Sequence, residues 1–310
     1  MKKILLAGFG NIGYRYVEGL LLISELDFEL TIIEPNNLVF QNNLVRLTKQ
    51  GLMKDQKFTH RTLEELSGTF NLAIVSTNSK DRAFVISQIR NNTNVQNWVL
   101  EKVLARSESE LDQIARTIDH DNAWVNTPRR LTSIYKLLKN KFCKGKITLT
   151  VRMKTFTIGC NAIHFIDTVC WLVDANLKKV EIAASSDWYE AKREGFKEFN
   201  GSLRAIYDEG SILIIDNTCE NKDEGIWLET EGKTYHLDEA KGIQDGGEFF
   251  ASRMEYQSEL TADLVRNILI FGQSELPTLS ESIKQHRLFF SGLIDCDELK
   301  KFGDGLIPIT

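Results

Sequence analysis

Three glycines with the spacing G-x-G-x-x-G separate a short apolar run from a stretch with helical periodicity. Residues 4–7 are apolar enough for a buried parallel strand, and residues 11–26 carry apolar side chains at helical spacing. Gly8 permits a tight turn, Gly10 lets backbone amides approach an anion, and Gly13 lets the helix lie close to the sheet. The arrangement predicts the first strand, turn and helix of a doubly wound α/β fold.

The alternation of strands and helices continues through the first 125 residues. After the first pair, the periodicity predicts strands over residues 28–33, 70–76, 95–100 and 123–125. Helices are predicted over 38–50, 80–91 and 107–119, with a short one at a capping box formed by Thr62 and Glu65. Such alternation is typical of a Rossmann-type parallel sheet covered on both faces.

The pattern changes after Pro128, where longer alternating segments separated by turn residues indicate a sheet with one solvated face. Strand-rich segments are predicted over residues 146–157, 178–186, 201–217 and 226–236, followed by helices over 249–271 and 278–292. We therefore expect two domains: a dinucleotide-binding Rossmann domain over residues 1–125, and an α+β domain with a largely antiparallel open sheet over residues 126–310.

Composition excludes several classes of protein. The 310 residues include 38 Lys and Arg against 43 Asp and Glu, a net charge of −5, so a nucleic-acid partner is not expected. Early apolar runs are shorter than the ~18 residues of a membrane span, and no small-residue cleavage site follows them, so we expect a cytoplasmic protein without a membrane partner. Five widely spaced cysteines without a C-x-x-C pair predict neither disulfides nor a metal site.

An acidic residue at the end of the second strand strengthens the cofactor prediction. Glu34 follows Gly13 by twenty-one positions, where a carboxylate can accept hydrogen bonds from both hydroxyls of an adenosine ribose. Its charge would repel a 2′-phosphate, so NAD is favoured over NADP. Asn11 and Ile12, within the glycine loop, join the predicted cofactor-binding residues. A glycine-rich turn of another α/β protein, or a Rossmann methyltransferase, shares the first half of this pattern.

Polar residues follow the next two strands of the predicted sheet. Thr77 and Asn78 come after the strand predicted over residues 70–76, and Glu101 and Lys102 after the one over residues 95–100. Because ligands of such sheets bind at the carboxyl ends of the strands, Lys102 is placed to contact a bound cofactor or the reacting hydroxyl. The alternatives are that Asn78 only caps the next helix, and that Glu101 and Lys102 are a solvated ion pair.

A third group of polar residues lies in the second half of the chain. In the segment from Asn161 to Asp167, His164 and Asp167 are three positions apart, which places them on one face of a helix. A histidine beside apolar residues is commonly a core residue, but this one is three positions from an amide. His164 is therefore a candidate acid or base.

Taken in order, these motifs resemble the glucose–fructose oxidoreductase, inositol dehydrogenase and MocA family, over residues 1 to about 295. The residue pattern around His164 is most similar to that of the family's nucleotide-sugar dehydrogenases, some of which serve surface polysaccharide synthesis. The resemblance implies nicotinamide-dependent hydride transfer at a sugar, nucleotide-sugar or cyclitol hydroxyl. It also implies a homodimer or homotetramer formed through the open sheet.

The resemblance also assigns roles to individual residues. It implies Lys102 and His164 as the catalytic pair, without deciding which is the acid or base. The remaining assignments are to cofactor binding, by Gly8, Gly10, Gly13, Thr77, Asn78, Glu101, Lys102 and Arg129, and to substrate binding, by Arg130, Asn161 and Asp167.

Besides Asn78, which stands where the family usually has a proline, two positions depart from the family pattern. Val103 replaces a proline after Glu101 and Lys102, and since a cis peptide is costly without proline, we expect the local backbone to differ. Cys160 replaces an aspartate four residues before His164. These departures leave open an alternative function, an NAD-binding sensor or assembly protein without turnover.

Overall fold

The computed structural model describes residues 1–53, 58–118, 122–220, 223–250, 253–299 and 305–310. The chain divides into two compact units. The first comprises Met1–Ala105, Ser109–Asn126 and Tyr256–Ser280, and the second comprises Arg106–Glu108, Thr127–Glu255 and Glu281–Thr310. Tyr256–Ser280 therefore belongs with the first unit, whereas the sequence analysis placed it in one continuous domain over residues 126–310.

The strands fall into a first group before Thr127 and a second group after it. The first group is β1 (Lys2–Ala7), β2 (Phe28–Ile33), β3 (Phe58–Arg61), β4 (Thr69–Phe70), β5 (Leu72–Val75), β6 (Asn94–Val95), β7 (Trp98–Glu101) and β8 (Ala123–Asn126). The second group is β9 (Ile147–Arg152), β10 (Leu177–Ala184), β11 (Tyr189–Glu190), β12 (Lys197–Glu198), β13 (Gly201–Tyr207), β14 (Ile212–Asp216), β15 (Gly225–Thr230), β16 (Lys233–Asp238), β17 (Gly242–Asp245) and β18 (Glu248–Phe250).

The α-helices alternate with the strands of the first unit and are fewer in the second. They are α1 (Asn11–Leu20), α2 (Asn37–Lys49), α3 (Ser79–Asn92), α4 (Glu108–Thr117), α5 (Ser133–Leu137), α6 (Ile158–Leu172), α7 (Gln257–Phe271) and α8 (Leu279–Asp295). Within the described ranges, none of them is both long and apolar enough to cross a membrane.

The first unit contains the predicted doubly wound sheet. Its six strands are parallel and have the order β3-β2-β1-β5-β7-β8, while β4 and β6 form a separate pair. All residues of β5, β7 and β8 are buried, as expected for parallel strands covered on both faces. The strand order reverses between β1 and β5, so the carboxyl ends of these two strands flank the point where doubly wound sheets bind ligands.

The second unit contains the predicted, largely antiparallel open sheet. Its eight strands have the order β10-β13-β14-β9-β15-β16-β17-β18, and among these neighbours only β14 and β9 are parallel. Burial alternates along the strands: Leu213 and Ile215 of β14 are fully buried, whereas Ile212 and Ile214 are half-buried. One face therefore lies against the core and the other faces outwards.

Several predicted boundaries were wrong. The predicted helix over 249–271 begins only at Gln257, because Gly246 and Gly247 adopt positive φ angles and turn the chain into the hairpin of β17 and β18. The expected short helix at Thr62 is a turn, although the Thr62 amide donates to the Glu65 carboxylate at 2.8 Å. The predicted helix over 107–119 is α4, and its predicted end at Asp119 lies outside the described residues.

Helix α7, which the sequence analysis placed in the domain over residues 126–310, packs against α1. A Cβ on Gly19 would come within 2.6 Å of the Thr261 Cβ on α7, so this contact requires a glycine. The sequence carries no local indication that residues 240 positions apart meet. This close contact explains why α7 belongs to the first unit.

Candidate functional site

The glycine loop has the geometry that its spacing predicts. Gly8 has a φ of +93°, which only glycine adopts readily, and its carbonyl oxygen accepts a hydrogen bond from the Ser76 hydroxyl at 2.6 Å. A Cβ on Gly13 would collide with that same carbonyl oxygen. The first turn of α1 is therefore held close to the ends of β1 and β5.

The middle glycine faces open space. Among the described residues, apart from Gly10 and its two chain neighbours, no atom lies within 4 Å of where a Cβ on Gly10 would stand, and no side chain caps α1 at this residue. Asn11 and Ile12 in the same turn are exposed. Because the first amides of a helix have no partner within the helix, this turn offers backbone donors and the positive end of the helix dipole to an anion.

Glu34 holds the glycine loop to the end of β2. One carboxylate oxygen accepts from the Phe9 amide at 2.8 Å, and the other accepts from the Asn36 amide at 3.0 Å. Each oxygen retains a further lone pair, so the carboxylate can still accept ribose hydroxyls. The sequence analysis assigned Glu34 to the cofactor but missed its contact with the loop.

The residues after β5 have two functions in the structure. The Asn78 side chain accepts from the Asp81 amide at 3.1 Å and caps α3, and its contact with a cofactor stays a prediction. The Thr77 hydroxyl oxygen is buried and has no hydrogen-bond partner among the described residues. Leaving a buried hydroxyl without a hydrogen bond costs free energy. Thr77 is therefore a candidate for a hydrogen bond with a ligand.

Glu101, after β7, is buried rather than solvated. One of its carboxylate oxygens accepts from the Tyr16 hydroxyl at 2.8 Å and from the Asn126 amide nitrogen at 2.6 Å. Burial raises the pKa of the Tyr16 hydroxyl well above its ordinary value, and the Glu101 charge adds to this shift. Glu101 thus joins α1, β7 and β8, and Lys102 beside it is half-buried.

The peptide bond between Lys102 and Val103 is cis, so the expected change from the family backbone is not found at this bond. Arg82, which the sequence analysis did not assign, is 1% exposed and donates to the carbonyl oxygens of Val103 and Thr77. It therefore connects the segments that follow β5 and β7. Its only sequence signal is its position in the first turn of α3, where a buried arginine is unusual.

In the second unit, a buried ion pair lies beside α6. Asp167 is fully buried and accepts from Arg130 Nε and Nη2 at 2.8 and 2.5 Å, from the Thr127 hydroxyl at 2.6 Å and from the Gln285 amide at 3.1 Å. All of these partners belong to the second unit. In the structure, Asp167 therefore positions Arg130 and Gln285, and its predicted contact with substrate stays a prediction.

Arg129, the residue before Arg130, has a separate set of partners. Its Nε donates to the Glu239 carboxylate at 2.9 Å and to the Tyr135 hydroxyl at 3.1 Å, and its guanidinium carbon lies 3.9 Å from the centre of the Phe165 ring. Burial raises the pKa of the Tyr135 hydroxyl well above its ordinary value, and the Glu239 charge adds to the shift. Arg129 is thus oriented next to the residue that follows His164.

A carboxylate that the sequence analysis missed holds the start of α6. Glu198 is 3% exposed, and its two carboxylate oxygens accept from the amides of Gly159 and Cys160 at 2.8 and 2.9 Å. His164 follows Cys160 by one helical turn and is half-buried. Glu198 lies in β12, nearly forty residues later in the chain, so no local pattern connects it with this helix.

Asn161, also in the first turn of α6, donates from its side-chain amide to the Thr157 hydroxyl at 2.7 Å. The predicted site residues thus form two groups. The cofactor residues before Val103 gather at the carboxyl edge of the parallel sheet in the first unit. Those from Arg129 onwards lie in α6 or in the segment just after β8, in the second unit.

No protein-family model matches the chain, and no curated protein matches it. Solved structures do. The myo-inositol dehydrogenase of Lactobacillus casei, solved with NAD(H) and myo-inositol, is 12% identical, with a TM-score of 0.67 and 96% of each chain covered. GenD2 from gentamicin A biosynthesis, solved with NAD, is 13% identical, with a TM-score of 0.65, 95% of this chain and 94% of that one covered.

A putative NADPH-dependent oxidoreductase from Desulfitobacterium hafniense is 10% identical, with a TM-score of 0.66 and 94% of each chain covered. At sequence identities this low, the structural similarity establishes the fold alone. The chain therefore has the two-part fold of these oxidoreductases, and the fold that the motif resemblance implied is confirmed.

Proposed function

We propose that this protein is a nicotinamide-dependent oxidoreductase that uses NAD in preference to NADP and acts on a hydroxyl of a sugar, nucleotide sugar or cyclitol. The observation that carries the proposal is the open glycine loop at the point where the order of the parallel strands reverses. The fold shared with dehydrogenases of polyols supports the substrate class.

The residues at this edge of the sheet fit a dinucleotide. The space above Gly10 and the first amides of α1 suit a pyrophosphate, and Glu34 suits the adenosine ribose. The unpartnered Thr77 hydroxyl offers a further contact. Asn78 and Glu101 support the site by capping α3 and by fixing Tyr16 and Asn126. When bound, the nicotinamide accepts or supplies the hydride.

Lys102 and His164 are assigned to the transfer of the proton of the substrate hydroxyl. In the oxidative direction a base removes the hydroxyl proton while its partner donates a hydrogen bond to the same oxygen. Arg129 is assigned to the cofactor and Asn161 to the substrate. Arg130 and Asp167 are assigned indirect roles, because their ion pair fixes the helix that carries His164.

A matched pair of glycine variants tests the cofactor site. Gly10→Ala adds a methyl group to empty space at a φ of −69°, so the melting temperature without ligand should not change, while NAD affinity measured by calorimetry should fall about 10-fold or more. Gly13→Ala should lower both, since its methyl group meets the Gly8 carbonyl. Unchanged NAD affinity in Gly10→Ala would remove the basis of the proposal.

Turnover is tested by a screen of polyols, free sugars and nucleotide sugars, followed by the absorbance of the reduced cofactor. A compound that supports NAD reduction identifies the substrate. Tight NAD binding without turnover on any of these compounds would favour the alternative, a sensor or assembly protein.

A further inference from the structure

A cavity lies within the second unit, and its lining includes neither Lys102, His164 nor any residue of the glycine loop. It has a volume of about 300 Å³ and lies where the end of α6, the turn into β10 and the first turns of α8 meet. Trp171 contributes from the end of α6, Asp174 from the turn that follows it, and Lys284 and Gln285 from α8. This volume is at the lower end of small-molecule sites, which run from about 300 to 1,000 Å³, so the cavity suits a small ligand.

The wall of the cavity includes a guanidinium in a fixed orientation. Asp167 occupies the Nε and Nη2 edge of Arg130, which is itself only 7% exposed. A guanidinium carries five donors in one plane, and the bidentate contact uses two of them. Arg130 lines the cavity, so the donors that Asp167 does not use can serve a ligand there. A donor held this firmly loses little side-chain entropy on binding.

An unpartnered acceptor lies beside this donor. Gln285 is 5% exposed, and its amide nitrogen donates to Asp167 at 3.1 Å, which sets the orientation of the amide. In the part of the chain that the structure describes, its carbonyl oxygen has no hydrogen-bond partner. Buried polar atoms without partners are rare in native proteins. A ligand hydroxyl would supply the missing hydrogen.

The charges around the cavity balance. Arg130 and Lys284 give two cations, and Asp174 and Glu281 give two anions. The ion partners just outside the lining, Asp167 on Arg130 and Lys139 on Asp174, add one charge of each sign. A ligand with a net charge therefore gains no net attraction, whereas hydroxyl groups, which both donate and accept, can bond to every one of these groups. Trp171 and Leu177 provide apolar surface for the carbon face of such a molecule.

We propose that this cavity is a separate ligand site that binds a neutral polyhydroxylated molecule about the size of a monosaccharide. The assignment is independent of the proposed function, because it uses neither the glycine loop nor the Lys102 and His164 pair.

Fluorine NMR of protein labelled with 5-fluorotryptophan tests the site directly. The Trp171 resonance is assigned with the Trp171→Phe variant, and the labelled protein is titrated with myo-inositol and with D-glucose in the absence of nicotinamide cofactor. We expect a saturable shift of the Trp171 resonance with at least one of the two. Gln285→Met, which removes the unpartnered oxygen, should weaken that binding about 10-fold.

A second variant fills the cavity without touching the Gln285–Asp167 hydrogen bond. Ala175→Phe adds a ring at the cavity wall and should abolish the shift, while Lys233→Ala, at the exposed start of β16, should leave it unchanged. No saturable shift with either polyol would overturn the proposal, as would a shift that persists in Ala175→Phe. A shift with zwitterionic L-alanine but not with the polyols would contradict the neutral ligand class.

Discussion

At the residue scale, the Glu34 carboxylate combines a structural contact with a proposed binding role. Its two oxygens accept from backbone amides at 2.8 and 3.0 Å, which fixes them beside the glycine loop. We expect NAD to bind at least about 10-fold more tightly than NADP, since a charge-assisted hydrogen bond is worth ~1.5–3 kcal/mol and the same charge repels a 2′-phosphate. Calorimetric titration with both cofactors measures the ratio.

The Glu34→Gln variant separates charge from shape. It should weaken NAD binding and bring the affinities of the two cofactors closer together. Glu29→Gln, at the opposite end of β2, is the matched control and should change neither affinity. Equal affinities for NAD and NADP in the unmodified protein would refute the assignment of Glu34.

The proposed proton-transfer pair gives a second prediction at this scale. Lys102→Ala and His164→Ala should each lower turnover about 10²-fold or more, the usual contribution of a general acid or base, while NAD affinity changes far less. The double variant should lose less than the product of the single losses, because the proposal assigns both residues to one proton. Steady-state kinetics and calorimetry on the same preparations measure both quantities.

Two controls accompany these variants. Lys49→Ala removes an exposed lysine of α2, and Cys160→Ala removes a side chain to which we assign a packing role. Both should keep most of the activity. Near-normal turnover of His164→Ala on the true substrate would show that the catalytic assignment is wrong, and the segment from Asn161 to Asp167 would then be structural.

At the scale of single elements, α6 depends on a carboxylate supplied by β12. Glu198→Gln keeps the size of the side chain but turns a donor towards one of the two amides that it now accepts from, at Gly159 and Cys160. Because Glu198 is buried, we expect the free energy of unfolding to fall by about 1–3 kcal/mol. Urea denaturation followed by circular dichroism measures the change.

Glu190→Gln is the matched control, since β11 pairs with β12 but Glu190 is exposed and its ion pair with Lys197 spans 3.8 Å. An exposed pair of this kind contributes little to stability. Equal losses in the two variants would mean that the cap on α6 is not what Glu198 contributes.

Elements whose signals are local were predicted well from the sequence. The strand–turn–helix unit around Gly8 and the burial of β5 and β7 follow from apolar runs and glycine spacing, which act over a few residues. The start of α7 was not predicted correctly. Phe249 pairs with Gln244 across a hairpin, and this strand pairing overrides the helical periodicity of the sequence. The short helix α5 was missed altogether.

At the scale of the whole molecule, the open face of the second sheet carries a row of side chains across five neighbouring strands. The row consists of Arg204, Ile214, Thr150, Trp227 and His236. Ile214 and Trp227 are half-buried within the chain alone. Because partly exposed apolar sheet surface is commonly covered by an identical subunit, we expect a homodimer or homotetramer that uses this face.

Light scattering after size-exclusion chromatography tests this expectation. At micromolar concentration the mass should be two or four times that of the chain, and Ile214→Arg should reduce it. Val45→Arg, on the exposed side of α2, is the control and should leave the mass unchanged. A monomeric mass for the unmodified protein would contradict the expectation.

The sequence by itself determined the class of the fold and the candidate residues at the ends of the strands. Glycine spacing, apolar periodicity and turn residues act locally, so Gly8, Glu34 and Thr77 could be found without a structure. Tertiary structure decided which side chains support them. Arg82 joins two strand ends, Glu198 caps α6, and Asp167 is taken up by Arg130 and Gln285. These partners are separated in the chain by up to 118 residues, and only packing brings such groups within hydrogen-bonding distance.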